Sequence, residues 1–531
     1  MNRAEVRRRQ AEEISNILTL LTILVIVRLT GHNGAAYMIV ALEVFWLLWS
    51  ILGGSLSDTL GKLLRSRRNK GQYKNGQQMR RSAMICHAVL GILGSLTMFL
   101  LAGPVAEEIF RIPCSTLILM VISPILLLRS ISAVILGYFY GEGTESLTAV
   151  AGVMRQIFTL AFGFLFYGIL KGYGEKVSAL LQEENYTSMY GGVGFAIAMN
   201  LAELLVIFFL GMVYKGSRRL DKRSRQDNLS AEPMLYGIGV LWASRWQQCI
   251  IKFLETLPLV LGVFLFCRAS ELEAVGDYGM YAGIYLSVCG IASFGISAST
   301  IPIIGKTYAG IRREESKAAR NLFQTGVHIC LVHGIFGAVF VAVMGTQLLA
   351  VISPESSETA LQMLLGGSTM IIFMALSSYF KRFLLIAGKK MPVMGAVGIG
   401  DMIYMIIVMI TFGIGKAGIL SLVYGGMAGM FVICILLGML SYRQMRMRID
   451  WLQVLVIPLG GGGVAGLLCM LFSRLFALVL PPYLTLLLAL AVAGVSYWVV
   501  LLLLRNFRDQ ELDVMPGGRL VIALGRTLRL I

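Results

Sequence analysis

Charged residues are scarce in this chain. Only 14% of its 531 residues are charged, whereas 57% are hydrophobic, and its mean hydropathy is +0.77. Soluble domains carry about 25% charged and about 45–50% apolar residues. The scarcity of charge therefore excludes a soluble enzyme, a nucleic-acid-binding protein and a disordered chain, and it indicates a membrane protein.

Patterns of metal ligands and nucleophiles are also missing. The four histidines have no carboxylate partner at ligand spacing, and the eight cysteines stand singly in or beside apolar stretches, without a CxxC pair. No HExxH or GxSxG motif occurs, and Thr300 stands where a phosphate-binding loop ending at Gly305 needs a glycine. We therefore expect a protein that is not an enzyme and that holds no metal or cofactor.

What the chain does have is a series of long apolar runs. Each is long enough for a membrane-spanning helix of about 20 residues, and lipid offers the backbone no hydrogen-bond partner, so helix is the expected state. The runs fall near residues 14–30, 35–60, 83–103, 112–140, 147–170, 189–214, 234–267, 278–304, 322–350, 360–387, 391–413, 416–440, 450–473 and 480–504. The fold class predicted is an all-α polytopic membrane protein with about 14 transmembrane helices.

The basic residues predict the orientation of these helices. With the N-terminus in the cytoplasm, 35 of the 46 Lys and Arg residues lie on the cytoplasmic side and 6 in outer loops. Cytoplasmic loops of membrane proteins carry such an excess. We therefore expect a protein of the bacterial cytoplasmic membrane with both termini on the cytoplasmic side. The net charge of +17 is then a topology signal, because the basic loops lie near anionic lipid headgroups. We therefore expect no nucleic acid as a partner.

Features of the first half recur in the second half and predict a tandem duplication. The matches lie 244 or 245 residues apart: Gly61-Lys62 with Gly305-Lys306, Ser132 with Ser377, and Gly143 with Gly388. Two lobes of like orientation around a midplane site are typical of alternating-access transporters.

The duplication predicts two six-helix lobes followed by two C-terminal helices. The segments expected are a cytoplasmic tail 1–13, an N-terminal lobe 14–214, a basic linker 215–233, a C-terminal lobe 234–440, a helix pair 450–504 and a cytoplasmic tail 505–531.

Two stretches resemble a known family. Residues 31–84, with GGSLSDTLGK, resemble the second helix and loop of stage V sporulation protein B-like flippases of the multidrug/oligosaccharidyl-lipid/polysaccharide exporter superfamily. Residues 130–158 resemble the fourth and fifth helices of that group and carry its G-Y-F-x-G pattern at Gly137–Gly141. The resemblance implies a flippase for a polyprenyl-diphosphate-linked saccharide or peptidoglycan precursor, of the MurJ or Wzx type, with membrane lipid, that glycan and a coupling H⁺ or Na⁺ as partners.

Three other functions remain open. A cation-coupled multidrug antiporter of the same superfamily is one, although such pumps typically have twelve helices and a cationic drug favours carboxylates. The stretch Gly54–Lys62 also resembles a loop motif of major facilitator transporters, but it has Leu63 where a second basic residue is usual. A scaffold for wall synthesis is the third, and it predicts no loss of activity when buried charges are neutralised.

Charges inside the apolar runs are the candidate functional residues, because a charge at membrane depth faces a partner or a wet cavity. Arg129, Arg155 and Glu203 are expected to neutralise one another and hold the fourth to sixth helices together. They lie, like Arg245 and Asp401, about 12 residues from the cytoplasmic ends, or roughly 18 Å at the rise of a helix.

The resemblance implies that helices 1, 2, 7 and 8 line a substrate cavity. By that analogy we expect cations to attract a diphosphate and tryptophans to stack on sugar rings. The cavity residues so predicted are Arg28, Glu43, Trp46, Trp49, Trp242, Arg245, Trp246, Lys252 and Glu255. The carboxylates predicted to couple an ion are Glu43, Glu255 and Asp401.

Overall fold

The computed structural model describes residues 3–216, 232–269, 275–355, 357–445, 452–507, 511–512, 515 and 518–527. Within these residues every regular element is a helix, so the predicted all-α fold class is confirmed. Most of the predicted linker 215–233 and part of the tail 505–531 lie outside the described residues.

The helices follow one another through short connections. In chain order they are α1 (Arg3–Leu52), α2 (Leu56–Asn69), α3 (Tyr73–Leu100), α4 (Ser115–Ile122), α5 (Ile125–Glu142), α6 (Glu145–Leu181), α7 (Asn185–Gly216), α8 (Met234–Ala269), α9 (Val275–Arg312), α10 (Ser316–Val343), α11 (Gly345–Ile352), α12 (Glu358–Gly367), α13 (Met370–Ile386), α14 (Lys390–Gly413), α15 (Leu420–Met445), α16 (Leu452–Ala477), α17 (Pro482–Leu503) and α18 (Gly518–Thr527). Single π-helical stretches occur at Pro104–Ile109 and at the start of α9 and α16.

The number of spanning helices agrees with the apolar runs. Among the described residues, 12 helices are long and apolar enough to cross a membrane, or 13 with the pair α12 and α13, which meet at 48°. The first of these helices, Glu5–Asn69, contains both the run 14–30 and the run 35–60. Each predicted run therefore coincides with one helix or with two successive helices, and the polytopic architecture is confirmed.

Glycines interrupt the first of these helices at two points. Gly31 has φ 72° and ψ −179°, a conformation that a residue without a Cβ adopts readily, and it breaks α1 at the boundary predicted near 31–34. Gly53 and Gly54 separate α1 from α2, so the single helix expected over 35–60 is two helices. The reason is the poor helix propensity of consecutive glycines, together with the ring of Trp49, which fills the space that a side chain at Gly53 would need.

The chain divides into two compact units, described here one at a time. The N-unit is Leu29–Gly279, and the C-unit combines Met1–Arg28 with Met280–Ile531. This division differs from the predicted lobes 14–214 and 234–440, because α8 belongs to the N-unit and the first part of α1 belongs to the C-unit. The C-unit thus includes the first helical residues of the chain, and the N-unit includes the first helix of the second half, α8.

The core of the N-unit lies between α2, α3, α5, α7 and α8. Leu60, Val134 and Leu241 are fully buried in it. Close approach between α2 and α5 requires a residue without a side chain at Gly61, because the ring of Tyr140 occupies that position. The helices that carry the candidate charges are therefore held by tight apolar packing.

The C-unit has a core of aromatic rings. The ring centre of Phe323 on α10 lies 4.5 Å from that of Phe383 and 5.2 Å from that of Tyr379 on α13. Tyr497 of α17 donates a hydrogen bond of 2.8 Å to the carbonyl oxygen of Val332 on α10. This bond ties the C-terminal helix pair to the middle of the unit.

The first part of α1 is fixed to the C-unit by specific contacts. The guanidinium of Arg382 on α13 pairs with the carboxylate of Glu13. Seven residues later, the side chain of Leu20 lies over Gly290, where a Cβ would come within 2.5 Å of Leu20 Cδ1. Polar and apolar contacts on one helix face therefore attach residues 3–28 to α9 and α13.

The turns of the two halves have the same geometry at the predicted repeat positions. Gly143 ends α5 with φ 84° and Gly388 follows α13 with φ 79°. The amide after each glycine donates to the carbonyl five residues back, at 3.0 Å from Thr144 to Phe139 and 2.9 Å from Lys389 to Leu384. Both glycines adopt the left-handed conformation that commonly ends a helix, which is why glycine recurs at this spacing.

Candidate functional site

One cluster of charges in the N-unit joins α5, α6 and α7. Arg155 binds Glu203 through both branches of its guanidinium, with Nε 2.5 Å from Oε2 and Nη2 3.0 Å from Oε1. Ser132 donates a further hydrogen bond of 2.5 Å to Oε1. The carboxylate of Glu203, which is 0% exposed, is therefore well supplied with donors from two neighbouring helices.

Arg129 occupies a different position in the same cluster. Its Nε lies 3.5 Å from Glu203 Oε2, which is longer than the usual range for an N–H···O hydrogen bond, and it has no hydrogen-bond partner. The guanidinium lies over the ring of Phe45, 5.1 Å from its centre. The structure thus brings the three predicted residues together, but it pairs only Arg155 closely with the carboxylate.

Arg245 is fully buried in the N-unit, and chain groups occupy its donors. Its Nη2 donates to the main-chain carbonyls of Ile51 and Leu52, at 3.1 and 2.6 Å. Its Nε lies 3.3 Å from Cys249 Sγ and its Nη1 lies 2.5 Å from His87 Nε2. A helix end leaves its last carbonyls without partners. At the end of α1, a side chain from α8 donates hydrogen bonds to these carbonyls.

The surroundings of Arg245 fix the proton on His87. His87 Nδ1 lies 2.9 Å from the carbonyl oxygen of Ala83, and a carbonyl only accepts, so Nδ1 carries the proton and Nε2 accepts from Arg245. The ring of Trp242 lies beneath the guanidinium, 4.6 Å away, and parallel to His87 at 6.4 Å. Trp242 therefore packs against a side chain of the same unit, whereas Trp246 is exposed.

Glu43 has a partner that the sequence did not indicate. Its carboxyl group is 2% exposed, and the hydroxyl of Tyr278 lies 2.6 Å from Oε1 and 2.7 Å from Oε2. The ring of Phe266 stacks on Tyr278 with centres 6.2 Å apart. A buried carboxyl group is thereby held by a hydroxyl from the first turn of α9, without a salt bridge among the described residues.

The other predicted cavity residues of the N-unit are accessible to different degrees. Lys252 and Glu255 are exposed on α8, and Trp46 and Trp49 are half-buried on α1. The stem of Lys252 passes close to Gly54, where a Cβ would lie 2.8 Å from its Cδ. Lys252 therefore lies beside the break between α1 and α2.

Arg28 and Asp401 belong to the C-unit. Arg28 is exposed three residues before the break at Gly31, and Asp401 is half-buried on α14.

Several partners in these clusters were missed in the sequence. Tyr278, His87 and Cys249 carry no motif, and the first two are 235 and 158 positions from the residues they contact. Of the partner residues in these clusters, only Ser132 was indicated by the sequence, as a position of the predicted repeat. Among the described residues no group of three or more His, Cys, Asp or Glu side chains forms a metal site.

The chain has the architecture of a polytopic helical membrane protein built from two units. Its fold matches that of a multidrug resistance MATE family transporter of the MOP superfamily in an inward-facing conformation, with a TM-score of 0.66 and 12% identity over 84% of this chain and 98% of that one. It also matches the lipid II flippase MurJ in an inward closed conformation, with a TM-score of 0.63 and 11% identity over 92% of this chain and 96% of that one.

One curated relative supports the predicted family resemblance. Stage V sporulation protein B of Bacillus subtilis (strain 168) is 22% identical over 352 residues, which span 65% of each chain. No family model matches the chain. The predicted resemblance to this superfamily is confirmed, and at these identities the solved structures establish the fold alone.

Proposed function

We propose that this protein is a flippase that moves a polyprenyl-diphosphate-linked saccharide or peptidoglycan precursor across the bacterial cytoplasmic membrane by alternating access. The solved structures that share its fold include a multidrug resistance MATE family transporter and the lipid II flippase MurJ, which supports a transport role rather than an enzymatic one. The excess of Lys and Arg on one side supports the predicted orientation, with both termini in the cytoplasm.

An exposed lysine at membrane depth is the observation that carries the proposal. Lys252 lies 18 residues from Met234 and 16 residues from Arg268, the two ends of the apolar span of α8, and its side chain is exposed. A charge at the centre of a bilayer costs about 2.5–3.5 kcal/mol on insertion scales unless it faces water or a partner. A path that admits water and an anionic headgroup satisfies this requirement.

The half-buried tryptophans beside this lysine suit the saccharide. Trp46 and Trp49 lie on α1 just before the break that Lys252 adjoins. Aromatic faces stack on apolar faces of sugar rings, and a cation binds the diphosphate. Glu43, held by Tyr278, is the carboxyl group that we assign to the coupling H⁺ or Na⁺.

A cation-coupled multidrug antiporter is the second candidate. The observation in its favour is the TM-score of 0.66 to the MATE transporter. The coverage of this chain is 84% for that match and 92% for MurJ, and the basic groups of the N-unit attract anions. These two observations favour the flippase.

Reconstitution separates the two candidates. The full chain is placed in vesicles with a fluorescent polyprenyl-diphosphate saccharide, and the fraction of probe accessible from outside is followed with time. We expect protein-dependent exchange between leaflets that is strongly slowed in Lys252→Ala. Exchange equal to that of empty vesicles, together with efflux of cationic dyes, would replace the flippase by the antiporter.

A further inference from the structure

The charges around Glu203 do not balance within the N-unit. Two guanidinium groups face one carboxylate, and Arg155 with Ser132 already supplies both of its oxygens. Arg129 approaches the same carboxylate only to 3.5 Å. Among the described residues of this cluster, one positive charge is therefore in excess.

The side chains that carry this excess charge are partly accessible. Those of Arg129 and Arg155 are 17% and 15% exposed, whereas Glu203 is 0% exposed. Among the described residues, no group accepts a hydrogen bond from the terminal nitrogens of Arg129 or from Nη1 of Arg155. Both residues thus keep N–H donors that the carboxylate does not use.

Arg245 shows what a structural arginine looks like in the same unit. It is 0% exposed, and two main-chain carbonyls, a thiol and an imidazole nitrogen take its donors. Arg129 differs because its side chain is 17% exposed and its terminal nitrogens have no acceptor among the described residues. A structural role of the kind that Arg245 has therefore does not account for Arg129.

We propose that Arg129 and Arg155 form an anion-binding pair that receives the phosphate groups of the transported lipid, with Glu203 fixing their geometry. This proposal rests on the flippase function and names the part of the substrate that the N-unit recognises. Guanidinium forks match phosphate oxygens bidentately, and a diphosphate offers enough oxygens for two forks. Arg129 lies 13 residues from the end of α5 at Glu142, about 20 Å at the rise of a helix, which places the pair deep in the membrane.

Binding to the full chain in detergent tests the pair. Three probes are compared: polyprenyl diphosphate, phosphatidylglycerol and inorganic pyrophosphate. In Arg129→Gln the carboxylate of Glu203 keeps Arg155 and Ser132, so the fold is expected to persist. Loss of one charge-assisted contact is expected to weaken polyprenyl diphosphate binding about tenfold or more, and Arg129→Lys is expected to recover part of it.

A matched control variant sharpens the test. Lys171→Gln changes an exposed cation that lies 4.0 Å from Glu175 and 5.9 Å from the ring centre of Tyr167, and it is expected to leave binding unchanged. Unaltered affinity in Arg129→Gln, with flipping as fast as in the wild type, would overturn the pair and leave the flippase function standing.

The three probes separate the sources of phosphate. Binding of polyprenyl diphosphate that Arg129→Gln weakens, with weak binding of phosphatidylglycerol, supports the pair as a substrate site. Equal binding of phosphatidylglycerol would overturn it in favour of a bulk lipid site. Binding of pyrophosphate alone, still dependent on Arg129, would support an anion-binding pair and overturn the flippase function.

Discussion

Arg245 Nη2 lies 2.6 Å from the carbonyl oxygen of Leu52, so a side chain of α8 closes the C-terminal end of α1. The carbonyl of Ile51 accepts from the same nitrogen. In a membrane the freed carbonyls of an interrupted helix must find partners inside the protein. The break between α1 and α2 and the arginine on α8 therefore depend on each other.

Replacement of this arginine is expected to destabilise the protein. Arg245→Leu leaves two buried carbonyls and His87 without their donor, and each unsatisfied group costs about 1–3 kcal/mol. We expect a clear fall in the thermal unfolding midpoint in detergent. Trp246→Leu, one position further on an exposed surface, is the matched control and is expected to change the midpoint little.

The same variant tests the role predicted for Arg245 in the sequence. An unchanged midpoint in Arg245→Leu, combined with loss of flipping, would mean that Arg245 binds the substrate. A lowered midpoint with proportionate loss of folded protein supports the capping role that its contacts favour.

The helices themselves were predictable because their signals are local. An apolar run of about 20 residues has one stable state in lipid, and a glycine at a left-handed turn has few substitutes. The positions of α3 to α7, the break near Gly31 and the matched turns at Gly143 and Gly388 follow from such signals. Each depends on residues that are close together in the chain.

The roles of the buried arginines were not predictable in this way. Arg129 and Arg245 lie in similar apolar sequence at a similar distance from the helix ends. The side chain of Arg129 is nevertheless 17% exposed, whereas that of Arg245 is enclosed by Ile51, Leu52 and His87. The difference is made by residues more than 150 positions away from Arg245. The grouping of helices into compact units has the same limit, because the sequence of an apolar helix does not specify which helices it packs against.

The carboxyl group of Glu43 provides a second prediction. If it carries the coupling ion, Glu43→Gln is expected to abolish the stimulation of flipping by a proton or sodium gradient while slow downhill exchange continues. The amide is isosteric and still accepts a hydrogen bond from Tyr278, so the fold is expected to remain. The measurement is the exchange rate in vesicles with and without each gradient.

Tyr278→Phe is the companion to this variant. It keeps the carboxyl group of Glu43 but removes the hydroxyl that lies 2.6 Å from it, so gradient stimulation is expected to persist with a shifted pH or sodium dependence. Full stimulation in Glu43→Gln would exclude Glu43 as the coupling group.

The two turn glycines provide a third prediction, about the repeat. Nothing lies within 4 Å of a Cβ built at Gly143 or Gly388, so alanine at either position meets only the cost of positive φ, about 1–2 kcal/mol. We expect Gly143→Ala and Gly388→Ala to lower the unfolding midpoint by similar amounts. A large loss at one site and none at the other would argue against equivalent turns.

Helical glycines in equally open positions are the matched controls for these turns. Gly168 on α6 and Gly395 on α14 also have nothing within 4 Å of a built Cβ, and neither has a positive φ. Alanine there is expected to stabilise the helix by about 0.5–1 kcal/mol. The opposite sign at turn and helix positions separates the effect of φ from that of added volume.

The pair of Glu13 and Arg382 provides the last prediction, which concerns the attachment of the N-terminal segment to the C-unit. Their side chains are 6% and 18% exposed, so the pair is shielded from water far better than Lys171 and Glu175, at 46% and 58%. Glu13→Arg places two like charges together, and Arg382→Glu does the same. Each single variant is therefore expected to lower the unfolding midpoint, and the double exchange to recover most of the loss.

A double-mutant cycle measures this coupling. We expect a coupling energy of at least about 1 kcal/mol for Glu13 with Arg382, against about 0.3–0.5 kcal/mol for the exposed pair on α6. Coupling of this size links residues 369 positions apart, which an independent N-terminal helix cannot produce. Additive effects of the two charge reversals would mean that residues 3–28 do not depend on α13 for their position, and the C-unit would then begin at Met280.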